Sequence, residues 1–281
     1  MSILDSYRGA TVVLPTLHNK GALAQEAFKK HLNMKIEELA IDTDQFGTFS
    51  GDIDRKLLAT ESAIAKAKLG LAHSDHRYAL ASEGSIGADS IIPFINSDVE
   101  VVVFLDSINN FVISHAYRSF DISAYTHEYT EGEDLTPFLT KADFPHHQLI
   151  VKSLDSGVKA LAKGISSRSE LITVLEKAKK DGLSKLVIES DLRAHASPSR
   201  AENIRQAFKE LAIRISSLCP ECDSPGWGVI SSVRGLPCTD CGEDSDAVRA
   251  LIYGCISCTF TIEGDPIATS IDPSRCSWCN P

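Results

Sequence analysis

Apolar and polar positions alternate along the first third of the chain with two different periods. Residues 10–15 form a β-rich apolar run and are a predicted strand, and Lys35–Ile41 is a second predicted strand. Apolar residues at helical spacing predict helices over Lys20–Asn33 and Ile53–His73. Strands and helices in alternation favour a sheet covered by helices.

The pattern continues beyond residue 100. Val101–Leu105 is the most apolar predicted strand, and Asn109-Asn110 predicts a turn into a second strand at Phe111–Tyr117. Further predicted elements are a short helix at Glu131–Lys141, strands at Gln148–Lys152 and Lys185–Glu189, and helices at Ser166–Lys180 and Ala201–Ser217. Together these strands and helices predict an α/β domain over residues 1–217, with a mixed central sheet flanked by helices.

Arg77–Gly87, with the sequence RYALASEGSIG, is the first stretch with candidate chemistry. We predict a short strand that ends in a polar turn at residues 82–85. A carboxylate there, Glu83, would stand where open α/β sheets bind ligands, and could hold a divalent metal or activate water. Ser82 and Ser85 would contact the substrate. The simpler interpretation is a strand followed by a plain polar turn.

Residues 16–21 connect the first predicted strand to the first helix. A helix N-terminus favours anions, because its unpaired amides and its dipole both attract negative charge. The side chains of Thr16, His18, Asn19 and Lys20 would add donors for a phosphate. A plain turn with an exposed lysine is the alternative.

An acidic loop follows the second predicted strand. Asp42 and Asp44 offer the oxygen ligands that Mg²⁺ prefers, so we expect them to act with Glu83 in catalysis. Lys66, on the next helix, could reach a phosphate. Acidic loops and helix lysines are also common on surfaces without any such role.

A second polar stretch, residues 191–200, precedes the last predicted helix. Arg193, His195 and Arg200 could clamp a phosphate or carboxylate, whereas an ion pair of Asp191 with an arginine is the structural alternative. Ser197 before Pro198, or Ser199 with Glu202, could begin the helix, and the sequence leaves this open. The adjacent residues His146 and His147 precede a predicted strand and are expected on its opposite faces, where they would rarely share one metal.

All eight cysteines fall in four Cys-x-x-Cys pairs near the C-terminus. Fifteen residues separate the first two pairs and seventeen the last two, a spacing typical of zinc ribbons. We therefore expect two closed structural Zn²⁺ sites in a tail over residues 218–281. Joining the first pair to the second and the third to the fourth is the simplest assignment, and interleaved pairing stays open. The ligands are Cys219, Cys222, Cys238, Cys241, Cys255, Cys258, Cys276 and Cys279.

Charge narrows the range of partners. The chain carries a net charge of −10, and from Cys219 onward nine acidic residues face three arginines. Such a tail repels phosphate backbones, so nucleic acid is an unfavourable partner and protein docking a better one. A composition of 43% apolar and 23% charged residues, without a secretory signal or a membrane-length apolar run, favours a cytoplasmic globular protein.

The stretches DTDQFGTFSG, ASEGSIG, DLRAHASPSR, CPECDSPGWG and GLPCTDC together resemble an uncharacterised bacterial family, a domain of unknown function with a zinc-ribbon tail. The N-terminal third also resembles the inosine/xanthosine triphosphate pyrophosphatase superfamily, which implies a similar core fold. Thr16 matches the threonine of its Thr-x-Asn-x-x-Lys phosphate loop, Lys66-Ala67 its helical pair, and Glu83 its acidic strand end. His18 replaces the asparagine of that loop, and Lys20 comes one residue early.

These observations lead to the hypothesis of a Mg²⁺-dependent hydrolase of a nucleotide or a related phosphorylated small molecule. The alternative is a non-enzymatic nucleotide sensor or adaptor whose zinc ribbons dock a partner protein. A homodimer is compatible with either hypothesis.

Overall fold

The computed structural model describes residues 2–17, 19–46, 57–155 and 157–280. The predicted roles of His18 and of the helix start at residues 53–56 lie outside the described residues, as does the side chain of Asp44. The chain divides into two compact units. One comprises Gly9–Leu211, and the other comprises Met1–Arg8 with Ala212–Pro281.

The larger unit contains a mixed five-stranded sheet in the order β2-β1-β3-β4-β5. β1 runs parallel to both β2 and β3, while β3, β4 and β5 are antiparallel neighbours. The mixed sheet with its helices confirms the predicted α/β class. Its elements are β1 (Thr11–Pro15), α2 (Gly21–Leu32), β2 (Lys35–Leu39), α3 (Ala59–Ala72), β3 (Tyr78–Ala88), β4 (Asn96–Asp106) and β5 (Phe111–Ser119), after the short α1 (Ile3–Tyr7) of the smaller unit.

Helices cover both faces of this sheet. Small side chains of α3, Ala63 and Ala67, pack on Val13, Ala79 and Val103 in a tight apolar layer. On the other face, Phe104 stacks on Tyr78 and also meets Phe28 of α2. Burial of apolar side chains on both faces explains why β1 and the Val101–Leu105 segment of β4 are almost continuously apolar.

The β3 strand corrects the prediction for residues 82–85. These residues do not form a turn, because β3 continues for eleven residues and pairs with β4 as far as Ala88. Glu83 therefore lies within a strand and not at its end. Successive side chains of β3 point to opposite faces, so Ser82 and Glu83 serve different layers of the unit.

A second, antiparallel sheet follows, in the order β6-β9-β7-β8. Two sheets thus take the place of the single central sheet that the sequence predicts. Leu149, Val151 and Ile188 of this sheet pack on Leu171 and Leu175 of α5. Its elements are β6 (Thr126–Tyr129), α4 (Thr136–Lys141), β7 (Leu149–Ser153), β8 (Lys159–Ile165), α5 (Arg168–Lys180) and β9 (Leu186–Ser190).

Helix α6 (Pro198–Ser216) follows β9 and begins at the proline, which is the register in which Ser197 precedes the first helical residue. The smaller unit then forms an antiparallel sheet of β10 (Gly228–Arg234), β11 (Val248–Gly254) and β12 (Thr261–Glu263). In the described part of the chain, every helix is too short or too polar to cross a bilayer.

Candidate functional site

Charged and polar side chains are buried together around the middle of β3 in the larger unit. They come from the end of the loop after β1, from α3, from β3 and β4, and from α6. We call this group the buried polar cluster, and its members are Lys20, Ser62, Lys66, Ser82, Glu83, Asp98, Glu100, Arg200 and Asn203. Burial of ionised groups is costly unless they are paired, so such a group is a candidate site.

Glu83 is the carboxylate that faces α3. Lys66 Nζ lies 2.6 Å from Glu83 Oε2, and Ser62 Oγ donates to the same oxygen at 2.9 Å. Ser62 and Lys66 stand four residues apart on α3, which brings both to one face of the helix. Lys66 is therefore not an exposed surface lysine, because only 11% of its side chain is accessible to solvent.

Lys20 immediately precedes α2 and is buried against β3. Its Nζ donates to Ser82 Oγ at 2.9 Å. Burial lowers the pKa of Lys20 to about 8, and the nearby charges of Arg200 and Lys66 lower it further, against the opposing effect of Glu100 and Glu83. A buried cation beside two other cations attracts an anion, because an anion offsets both the burial and the repulsion.

Arg200 and Glu100 form the most deeply buried ion pair of the described residues. Arg200 Nε donates to Glu100 Oε1 at 2.7 Å, and the guanidinium also donates to the Leu192 carbonyl at 2.5 Å. Gly84 stands opposite Glu100 on the neighbouring strand. A Cβ at Gly84 would collide with Glu100 Oε1 and with the Arg200 guanidinium, so only glycine leaves room for this pair.

Asp98 lies two residues before Glu100, and both side chains point to the same face of β4. Asn203 Nδ2 donates to Asp98 Oδ2 at 2.9 Å. Burial raises the pKa of Asp98 to about 7, and the charge of Glu100 raises it further. Among the described residues no donor reaches Asp98 Oδ1 or Glu100 Oε2. A proton carried by Asp98 would provide the missing hydrogen bond between the two carboxyl groups.

Four predicted site residues thus enter the cluster, and several others do not. Lys20 contacts Ser82 and Lys66 contacts Glu83 on the opposite face of β3, although no local pattern connects them; their functional roles stay predictions. Thr16 is buried and lies four residues before Lys20 in the sequence, whereas Asn19 is exposed and has a φ of 53°. Asp42 and Ser85 are exposed as well, and their roles stay predictions.

The predicted clamp over residues 191–200 is divided by the structure. Arg193 forms a bidentate ion pair with the fully buried Asp191, at 2.6 Å for the closer contact, which is the structural alternative. His195 is exposed, with a pKa lowered by partial burial and by the charge of Arg193. Arg200 instead forms an ion pair with Glu100, and a joint clamp by Arg193, His195 and Arg200 stays a prediction.

Four members of the cluster are not among the residues predicted from the sequence: Ser62, Asp98, Glu100 and Asn203. The two acids stand at alternate positions before the apolar run of β4, where the predicted strand begins too late, at Val101. Polar residues at alternate positions of a strand point to one face. That alternation could have identified the two acids from the sequence. Nothing in the sequence connects Asn203 with Asp98, because only the folded chain brings them into contact.

The smaller unit gathers the cysteines into two clusters. Each contains four Sγ atoms within 4.8 Å of one another, so each could hold a tetrahedral metal ion. The pairing is interleaved: Cys222 lies 3.6 Å from Cys255, and Cys241 lies 3.7 Å from Cys276. The simplest assignment from the sequence, first pair with second and third with fourth, is therefore wrong.

The β10–β11 hairpin is the reason for the interleaved pairing. Gly228, which follows the first cysteine pair, is opposite Gly254, which precedes the third. The second pair follows the other end of β10, near the pairing of Arg234 with Val248. A bridge between Cys238 and Ile271 then leads the fourth pair to the second.

The comparisons with known proteins place the chain in a family without assigning an activity. No curated protein and no solved structure matches the chain. A family match covers residues 66–281, which include Lys66, Glu83, Arg200 and all eight cysteines but not Lys20 or Ser62. This match confirms the family expected from the sequence. The chain therefore belongs to the family described as "Domain of unknown function (DUF6671)".

Proposed function

We propose that this protein is a Mg²⁺-dependent hydrolase of a nucleotide or a related phosphorylated small molecule, with its active site at the buried polar cluster. The observation that carries the proposal is that Lys20 and Lys66 contact neighbouring residues of β3, Ser82 and Glu83, and that the charges of Lys66 and Glu83 act on the pKa of Lys20. Two cations beside one carboxylate suit a phosphate group and the water that attacks it.

The position of Lys20 supports an anionic ligand. The ion pairs of the described residues do not include Lys20, and its contact is the hydroxyl of Ser82. A phosphate would give this buried ammonium group a counter-charge and would raise its pKa again. Thr16, directly after β1, is the loop residue that matches the phosphate loop of the inosine/xanthosine triphosphate pyrophosphatases.

Glu83 is the proposed base or metal ligand. In the free protein Lys66 and Ser62 hold its carboxylate in one orientation. When a phosphate binds, Lys66 gains a second acceptor, and Glu83 can orient the attacking water. Glu83 with Asp42 or Asp44 is the set that would hold Mg²⁺, which would polarise the phosphoryl oxygen.

The experiment is a screen for release of phosphate and pyrophosphate from a panel of standard and modified nucleoside triphosphates with Mg²⁺. We expect turnover by the wild type and a loss of about 100-fold or more in Glu83→Gln, since glutamine cannot accept a proton. Glu128→Gln, at an exposed position of β6, is the matched control and should keep the full rate. Full activity of Glu83→Gln would remove Glu83 from this role.

A nucleotide sensor or adaptor is the second candidate. It is favoured by the fact that Glu83 already has two donors on one oxygen, an arrangement that also suits a rigid binding pocket. The acidic smaller unit exposes large apolar side chains such as Trp278 and Ile267, which suit a protein partner. No turnover in the screen, together with a nucleotide-induced rise in melting temperature, would favour this candidate.

We also infer that each cysteine cluster holds one structural Zn²⁺. Four thiolates around Zn²⁺ at about 2.3 Å would place neighbouring sulfurs about 3.8 Å apart. The spacing of the cysteines along the chain and the S···S distances of 3.6–3.8 Å agree with that arrangement. With four protein ligands the sites would be closed, and their role would be to stabilise the unit.

A further inference from the structure

Asp143, His147 and Ser199 form a connected row of side chains outside the buried polar cluster. Asp143 follows α4, His147 precedes β7, and Ser199 is the second residue of α6. His147 Nδ1 lies 3.0 Å from Asp143 Oδ2, and His147 Nε2 lies 3.0 Å from Ser199 Oγ. His147 is only 6% exposed, while Ser199 is half-buried and Asp143 is exposed.

Backbone chemistry determines the tautomer of His147. The Ser199 amide points at His147 Nε2 from 3.2 Å, and an amide N–H can only donate. Nε2 of the neutral ring must therefore be the acceptor, which leaves the ring proton on Nδ1. From Nδ1 that proton is donated to Asp143, which holds the plane of the ring.

The same reasoning orients the hydroxyl of Ser199. The Ser123 amide donates to Ser199 Oγ at 3.2 Å, and Ser197 Oγ lies at the limit of contact, 3.5 Å away. Oγ accepts from Ser123 through a lone pair, so its own hydrogen can point to His147 Nε2, whose lone pair the Ser199 amide and hydroxyl then share. Negative charge on Oγ would be stabilised by the Ser123 amide and by the N-terminus of the 19-residue helix α6.

His146 gives this group a second interpretation. Its Nδ1 also contacts Asp143 Oδ2, at 2.9 Å, and the three residues lie close enough to share a metal ion. The expectation that adjacent histidines would point apart is wrong here, because both precede the strand. A metal would need the lone pair of His147 Nδ1, however, and that nitrogen carries the proton.

We propose that Ser199 is a nucleophile with His147 as its general base and Asp143 as a positioning residue, independent of the hydrolase function proposed above. The substrate class is a neutral carboxylic ester or thioester. None of the contacts of this row in the described chain comes from a lysine or an arginine, which a phosphorylated substrate would require.

The proposed reaction follows the two steps of acyl transfer, acylation and deacylation of the serine. Ser199 Oγ attacks the carbonyl carbon and its proton passes to His147 Nε2; the bond to the leaving alcohol or thiol breaks, and the leaving group takes that proton. Water then attacks the acyl-serine, gives its proton through His147 to Ser199 Oγ, and releases the carboxylic acid. One ester and one water yield one acid and one alcohol.

The test uses the whole protein and a fluorophosphonate probe. Attack by Ser199 would form an Oγ–P bond and release fluoride, and mass spectrometry of a digest should find the adduct on Ser199. We expect His147→Gln to slow labelling about tenfold or more, whereas His146→Gln should label at the wild-type rate. An adduct on another serine, on none, or at an equal rate in both variants would overturn the proposal.

A second measurement needs no variant. Incubation of the wild type with p-nitrophenyl acetate should acetylate Ser199 and transiently block the fluorophosphonate label. Unchanged labelling after that incubation would also overturn the proposal, even if His147→Gln failed to fold.

Discussion

Asp98 is a residue whose charge in the folded protein should depend on pH within the physiological range. Its carboxyl is fully buried on β4, between the Asn203 amide and the Glu100 carboxyl. Burial raises its pKa from 3.8 to about 7, so the folded state holds a proton that the unfolded state has lost. The stabilisation is complete below pH 4 and is lost as the pH rises through 7.

Asp98→Asn should remove this pH dependence. Asparagine keeps an acceptor for Asn203, offers Glu100 a donor, and never ionises. We expect the variant to gain stability relative to the wild type between pH 5 and pH 8, by up to about 4 kcal/mol. Urea unfolding of both proteins at several pH values measures this difference, in which the other titrating groups cancel.

Two outcomes of that comparison are distinguishable. A difference that grows with pH supports a proton on Asp98. A constant difference would mean that Asp98 is already ionised in the folded protein, and that the carboxyl pair has another source of stabilisation.

At the scale of elements, β3 connects the two layers that carry the charges. Gly84 faces the Arg200–Glu100 pair, whereas Gly87, three residues later, has open space where a Cβ would be. The two glycines thus share one strand and differ in what surrounds them.

Gly84→Ala should therefore destabilise the larger unit and Gly87→Ala should not. A methyl group at Gly84 would displace the buried ion pair, with a cost of about 1–3 kcal/mol, as for other overpacked interiors. Denaturant unfolding of the two single variants and the wild type measures the contrast. Equal stability of the two variants would show that the pair can move without cost.

The same strand shows where sequence reasoning succeeds and where it fails. Asn109-Asn110 predicts the β4–β5 hairpin correctly, because Asn110 adopts the positive φ of 56° that the turn requires. The glycines of β3 suggest a turn equally well, but pairing with β4 keeps them extended. Local residue preference decides a tight turn, whereas the neighbouring strand decides the length of a strand.

The candidate site is predictable only in part for a related reason. Lys20, Lys66 and Glu83 have residue types and positions that suggest phosphate chemistry from the amino-acid sequence alone. Glu100 and Arg200 are one hundred residues apart, so no local pattern could pair them. Likewise, the cysteine spacings fit both pairings, and only the direction of β10 and β11 separates them.

At the scale of the whole molecule, double variants can test the interleaved cysteine pairing by zinc content. Cys222→Ser with Cys255→Ser removes two ligands from one cluster and should leave one Zn²⁺ per chain. Cys222→Ser with Cys241→Ser removes one ligand from each cluster and should weaken both sites. Elemental analysis after dialysis against a mild chelator gives the count.

The alternative pairing reverses these results. If the first pair joined the second and the third joined the fourth, Cys222 with Cys255 would damage both sites, and Cys222 with Cys241 only one. The two double variants are thus controls for each other.

The interleaved clusters also have a consequence for the entropy of the chain. The loop closed between Cys222 and Cys255 contains Cys238 and Cys241, and the loop between Cys241 and Cys276 contains Cys255 and Cys258. Each bound ion would therefore restrict the segment that carries two ligands of the other ion. Closing the second loop would then cost less conformational entropy than closing the first. Two Zn²⁺ ions should bind cooperatively, so that this unit gains or loses both over a narrow range of zinc concentration.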